Sequence, residues 1–191
     1  MRAVILHATD GSPTNVKWEA WLQHELKKRG YTVWFPQLPN SHTPNVSTYD
    51  AFFAEAGWDF ADNIIVGHSS GSTTLLHLLN KPDFPKIQAA VLVGTFLNER
   101  LLESAEWYEP GQFDGLFVEE FDLERIKQKA DKFYFVHGTD DPYCDYEEVE
   151  KMCEQLGGIF IPIQNGHHLG ESSLVHELPD LLNAMERFRS I

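Results

Sequence analysis

The sequence predicts an α/β protein, a three-layer sandwich in which a mostly parallel sheet carries helices on both faces. Three observations predict it. Short apolar runs of strand length alternate with stretches of helical spacing along the chain, the pattern of a parallel sheet buried on both sides. Gly, Pro, Asn and Ser cluster at the junctions between them, where turns need those residues. The tight sequence Gly67-His68-Ser69-Ser70-Gly71 sits between one such strand and the helix after it.

The elements follow in order. Ala3 to His7 is an apolar run bounded by polar residues and reads as a buried strand. After the loop TDGSPTN, Trp18, Trp21, Leu22, Glu25 and Leu26 recur at helical spacing, and Gly30 supplies a stop. Tyr31 to Phe35 is β-branched and aromatic, a second strand closed by Pro36 and Pro39, and Gln37 to Ser47 is loop. Thr48 to Gly57 is helical, with Phe52 and Phe53 on its apolar side. Asn63 to Val66 is a strand, Ser70 to Asn80 a helix ending at Pro82, and Ala89 to Val93 a strand. Phe133 to Val136 is a strand, Tyr146 to Leu156 a helix, Ile159 to Ile163 a final strand and Ser173 to Phe188 a closing helix. Between Thr95 and Asp131 the pattern is irregular and rich in aromatics, among them Trp107, Tyr108 and Phe113. That stretch is long for a crossover, so the 95–131 excursion is expected either to form a small cap over a site or to be an ordinary crossover with packed aromatics.

Length and composition bound the function. A chain of 191 residues suits a single domain, 1–191. Hydrophobic residues at 42% and charged residues at 23% are the balance of a globular protein. A formal net charge of -14, from 29 acidic against 15 basic residues, repels phosphate backbones and anionic bilayers, so no nucleic acid and no membrane is expected as a partner. The run from Ala3 to Leu6 is too short for a signal peptide, and no stretch approaches the ~20 apolar residues of a membrane span. Cys144 and Cys153, nine positions apart and expected on one helix, fit neither a zinc pattern nor a disulfide framework. A cytoplasmic location is expected.

Gly67 to Gly71 spells G-x-S-x-G in the strand-to-helix context of a nucleophile elbow. Glycines on either side allow neighbouring backbone to pass close, and the helix from Ser70 aims free N–H groups at the site. No P-loop pattern is present. A serine hydroxyl needs a base to take its proton and an acid to orient that base. FYFVHGTDDPYC and GIFIPIQNGHHLG are each a strand running into a loop, one with two aspartates and the other with two histidines. That is the order Ser, Asp, His of the α/β-hydrolases, with all three at carboxyl ends of strands. Asp141, stiffened by Pro142, is favoured over Asp140 as the acid. His167, presented by the turn at Gly166, is favoured as the base, with His168 packing or hydrogen-bonding behind it. His68 is expected to point away from the base. The oxyanion hole is expected from the backbone N–H groups of Ser70 and of the loop around Ala8 and Thr9. No histidine cluster has zinc-ligand spacing, so no metal is expected.

The chain resembles the family of small serine hydrolases that includes the retinoblastoma-binding serine hydrolase and its bacterial relatives. The likeness runs through HATDGSPTNVKWEAWL, LPN, GHSSGS, TDDP and NGHH. It implies a compact α/β-hydrolase with little or no lid, no cofactor, and activity on small esters or amides. It carries the catalytic serine, aspartate and histidine onto Ser69, Asp141 and His167. Two departures stand out. Ala8 replaces a glycine common after the first-strand histidine, and His168 stands where an aromatic often follows the base, making that wall of the substrate pocket more polar. The short cysteine-centred motif for retinoblastoma protein is absent, so that partner is not implied.

Together these readings give acyl transfer to water through an acyl-enzyme, with Trp107 and His168 lining the substrate pocket. Peptidase and thioesterase chemistry use the same groups. The alternative from another class is a protein-interaction module on a silent hydrolase scaffold. Haloalkane dehalogenation is excluded, since that chemistry requires an aspartate where Ser69 stands.

Overall fold

Side-chain alternation decides the layers. In strand β1 (Arg2–Leu6) Val4 and Leu6 join one core while Ala3 and Ile5 join another. Strand β4 (Ile87–Val93) divides the same way, with Ala90 and Leu92 on one side and Ala89, Val91 and Val93 on the other. A strand sends successive side chains to opposite faces, so an unbroken apolar run demands cover on both. The computed structural model describes residues 1–14, 16–117, 120–170 and 173–187.

The remaining strands are β2 (Thr32–Trp34), β3 (Asn63–His68), β5 (Ala130–Gly138) and β6 (Ile159–Ile163). Their order is β2-β1-β3-β4-β5-β6, and every neighbouring pair is parallel. Helices α1 (Trp18–Lys28) and α6 (Pro179–Arg187) cover one face through Trp18, Leu22, Leu26, Leu181 and Met185. Helices α2 (Val46–Ala56), α3 (Ser70–Asn80), α4 (Leu123–Gln128) and α5 (Tyr146–Leu156) cover the other. This is the expected three-layer α/β-hydrolase sandwich. The chain turns from β2 back across β1 to β3, so the sheet reverses winding direction between β1 and β3, the place where open α/β sheets form their crevice.

Both edges of the sheet are blunted. Strand β2 has three residues, and β6 carries Pro162. The N–H of Thr139 bonds the carbonyl of Ile163. Ile163 therefore turns its polar groups toward β5, and Pro162 faces outward, the position where a missing N–H costs nothing.

Some elements differ from the sequence expectation. The closing helix starts at Pro179, not Ser173. Proline suits the first helical turn, and Ser173 ahead of it bonds the carbonyl of Gly170. Phe188, expected in that helix, lies outside the described residues. Cys144 is not on the helix with Cys153, because Asp145 caps α5 by accepting from the N–H of Glu148 at 3.1 Å. Both thiols are free and buried.

The excursion from Thr95 contains a short 3₁₀ turn (Leu102–Ser104) and α4, which the sequence pattern did not single out. It packs over the outer side of α3. That helix is buried all round, as a helix covered on both sides must be. Some of its polar side chains are satisfied by the excursion: Thr73 donates to the carbonyl of Phe96 at 2.8 Å, and Asn80 to that of Glu120 at 3.2 Å. Phe96, Leu102, Phe113 and Leu116 form a third cluster with Val46 and Cys144.

Candidate active site

The turn between β3 and α3 is strained where the chemistry needs a projecting hydroxyl. Ser69 has φ 55 and ψ -121, a left-handed conformation that costs a side-chain-bearing residue about 1–3 kcal/mol. The surroundings enforce it: the Ser69 N–H bonds the carbonyl of Val93 at 2.8 Å, and its own carbonyl accepts from Ser72 and Thr73. A Cβ at Gly67 would collide with the backbone of Gly71, and one at Gly71 with the carbonyls of Leu6 and His7. The glycines of the motif are thus fixed by close approach.

Three strand ends converge on this hydroxyl. Asp141 follows β5 and His168 follows β6. Nε2 of His168 lies 2.8 Å from the Ser69 Oγ, and its Nδ1 lies 2.9 and 3.1 Å from the Asp141 carboxylate oxygens. A carboxylate only accepts, so Nδ1 carries the proton and Nε2 is left to receive one from Ser69. The Asp141 side chain is 1% exposed and that of His168 12%. Burial alone would raise the Asp141 pKa, but His168 and the Tyr143 N–H at 2.9 Å outweigh it, and the group sits below its ordinary range.

The histidine beside Ser69 is the neighbour of the one expected from sequence. His167 does not reach Ser69. It has φ 48 and points outward to Asp140, with Nδ1 2.8 Å from Oδ2 and its backbone N–H 2.8 Å from Oδ1. Its side chain is 52% exposed. Two His–Asp pairs thus stand side by side, an outer His167–Asp140 and an inner His168–Asp141. His168, read from sequence as a polar pocket wall, does line the cavity beside Ser69, but it also touches the serine, and the residue after it is the buried Leu169.

His68 is also corrected. It does not point away: its Nε2 is 3.0 Å from the carbonyl of His168, and its Nδ1 is 2.7 Å from Glu19 of α1. Neither contact was legible, because nothing in GHSS or in KWEAW shows that α1 reaches the end of β3.

Thr9 donates its hydroxyl to the Ser70 Oγ at 2.9 Å, which brings the two expected oxyanion-hole residues together beside Ser69. A cavity of about 390 Å³ opens there, lined among others by Ser69, His168, Thr9, Trp107, Tyr143 and Leu169. Trp107 is the contribution of the 95–131 excursion among the described lining residues; its indole donates to the Tyr143 hydroxyl at 3.0 Å. A more open groove of about 600 Å³ beside Leu97, Phe121 and Met152 holds carboxylates but no nucleophile.

His137, Asp141 and Cys144 bring potential ligand atoms within 4.8 Å of one another, yet the donor set does not suit a cation. Nε2 of His137 accepts the N–H of Thr95 at 3.0 Å, so the neutral ring carries its proton on Nδ1 and neither nitrogen offers a free lone pair. Burial holds the His137 pKa down to about 4. Burial, with Asp141 beside it, pushes the Cys144 thiol well above its ordinary range, so no thiolate rivals Ser69.

Known proteins resemble this chain in sequence and in fold. A model of the Serine hydrolase family matches residues 3–187. The chain is 21% identical over 186 residues to the serine hydrolase RBBP9 of Rattus norvegicus, covering 96% of this chain and 95% of that protein. In fold it is similar to the ydeN gene product of B. subtilis, with a TM-score of 0.86 and 19% identity over 100% of this chain and 99% of the other. Est1E of Butyrivibrio proteoclasticus, solved with ferulic acid, superposes with a TM-score of 0.72 and 15% identity, over 98% and 87% of the two chains. Among the described residues no helix is long and apolar enough to cross a membrane.

Proposed function

Since the chain belongs to the Serine hydrolase family, we propose that it cleaves small carboxylic esters or amides through Ser69, His168 and Asp141. The observation that carries this reading is the unbroken relay from Ser69 Oγ through both nitrogens of His168 to the buried carboxylate of Asp141.

His168 takes the proton of Ser69 as its Oγ attacks the acyl carbonyl, and Asp141 stabilises the imidazolium that forms. The oxyanion meets the N–H of Ser70, in the first turn of α3 where helix N–H groups lack intrahelical partners, and that of Thr9. One such donor is worth about 3 kcal/mol of barrier. His168 returns its proton to the leaving group, then activates water against the acyl-enzyme. Its ring already lies at hydrogen-bond distance from the Ser69 hydroxyl.

The cavity of about 390 Å³ lies toward the small end of ligand pockets, which supports compact acyl groups. Trp107 and Tyr143 offer edges and faces to an apolar or aromatic acyl chain. The ferulic acid in the Est1E structure is of that kind.

Labelling with a fluorophosphonate probe tests the reading. Wild type is expected to be labelled and Ser69→Ala to be silent. A folded wild type that takes no label would defeat it and favour an interaction module instead.

A further inference from the structure

We infer that His68 and Glu19 are positioning residues that set the catalytic histidine through its main chain, an inference that rests on the reading of His168 as the base. The triad accounts for the His168 ring but not for what fixes the peptide that carries it. That peptide lies in an awkward loop: Asn165, His167 and Leu169 all have positive φ, a conformation uncommon for non-glycine residues and least natural for Leu169.

Side chains from separate elements hold it, one polar atom each. Asp140 takes the N–H of His167 at 2.8 Å. Trp18 at the start of α1 donates its indole N–H to the carbonyl of Leu169 at 2.9 Å. Between them, His68 meets the carbonyl of His168 at 3.0 Å. The last contact differs from the others because His68 immediately precedes the nucleophile. The nucleophile strand is thereby tied to the base loop independently of the bond between Ser69 and His168.

The chemistry of the partners fixes the proton. A carbonyl oxygen accepts and never donates, so His68 must carry a proton on Nε2. Nδ1 is 2.7 Å from Glu19, and both side chains are nearly inaccessible, at 3% and 2%. Glu19 and His68 therefore hold one further proton between them in a closed pair, as Asp141 and His168 do. The other groups acting on His68 are His7 after β1, and Asp141 and His137 from β5 and the loop that follows it. Trp18 packs edge-on against its ring with centroids 5.3 Å apart, which blocks rotation away from the carbonyl.

Paired substitutions in the full chain test this without stranding a buried charge. Glu19→Gln with His68→Gln removes both charges and retains an amide N–H for the His168 carbonyl. Glu19→Leu with His68→Leu removes the charges and the donor together. On p-nitrophenyl acetate, the leucine pair is expected to lose about 10- to 100-fold in kcat with KM little changed, while the glutamine pair recovers to within about threefold of wild type. A leucine pair that turns over like wild type would overturn the inference, as would a folded glutamine pair as impaired as the leucine pair. Nitrogen-15 spectra of histidine-labelled wild type decide independently of any variant's folding: a protonated Nε2 on His68 supports it and an unprotonated one removes it. Wild type inert to both ester and fluorophosphonate would fail the triad instead, and the spectra would still report on His68.

Discussion

At the scale of the residue, the choice between adjacent histidines carries the most information. His167 and His168 have the same chemistry and the same local sequence, yet one is half exposed against Asp140 and the other buried against Asp141. His168→Ala is expected to lower kcat/KM on an activated ester by at least about a thousandfold. His167→Ala should stay within about threefold, because its contact with Asp140 is exposed to solvent and lies away from Ser69. Equal losses in the two variants would mean that the inner and outer pairs share the work. The convergence of Ser69 and Asp141 was legible, since a motif and a strand-to-loop context announce each. The choice of histidine was not. It depends on which of consecutive residues turns outward in a loop with alternating positive φ at 165, 167 and 169, and no residue type in QNGHHL writes that alternation.

At the scale of the element, the strands and most helices were legible because burial on both faces leaves unbroken apolar runs, and α3, α5 and β6 have the bounds the pattern indicates. Helix α4 has six residues, too few turns for a periodicity to stand out from the aromatics before it. The role of α1 beyond packing was also hidden. Its first turn acts as a strap, since Trp18 and Glu19 reach the base loop and the end of β3 while Leu22 and Leu26 fill the core. Trp18→Phe keeps most of the apolar volume but leaves the buried carbonyl of Leu169 without its donor. It is expected to cost about 1–3 kcal/mol, read as a lower urea midpoint at unchanged m-value. A loss below a few tenths of a kcal/mol would show that the strap bears no load.

At the scale of the whole molecule, buried neutral histidines set the acid limit. His137 has an ordinary pKa of 6.5 in the unfolded chain but is held to about 4 by burial, and burial likewise lowers that of His7, whose Nε2 accepts from the Leu38 N–H at 2.9 Å. Between those values the unfolded chain binds more protons, so stability rises with pH. The His137 contribution is therefore complete above about pH 6.5 and lost as pH falls toward 4, amounting to about 3 kcal/mol. His137→Gln, which can still accept from Thr95, should flatten the dependence of the urea midpoint on pH across that window. An unchanged slope would assign the acid limit to other groups.

The outward-facing proline in β6 bears on how many copies of the chain can coexist. An open sheet ends in a row of unspent hydrogen-bonding groups, and IFIPI without its proline would be a short, uncharged, mostly β-branched segment of the sort that stacks into fibrils. Pro162 removes the one outward donor in the middle of that row, so an arriving strand finds a broken ladder. Pro162→Val should leave the active site intact and yet turn thermal unfolding from a reversible transition into precipitation, visible as light scattering that rises with protein concentration. In a crowded solution the proline would then govern how long the enzyme stays dispersed, a property separate from how fast it works.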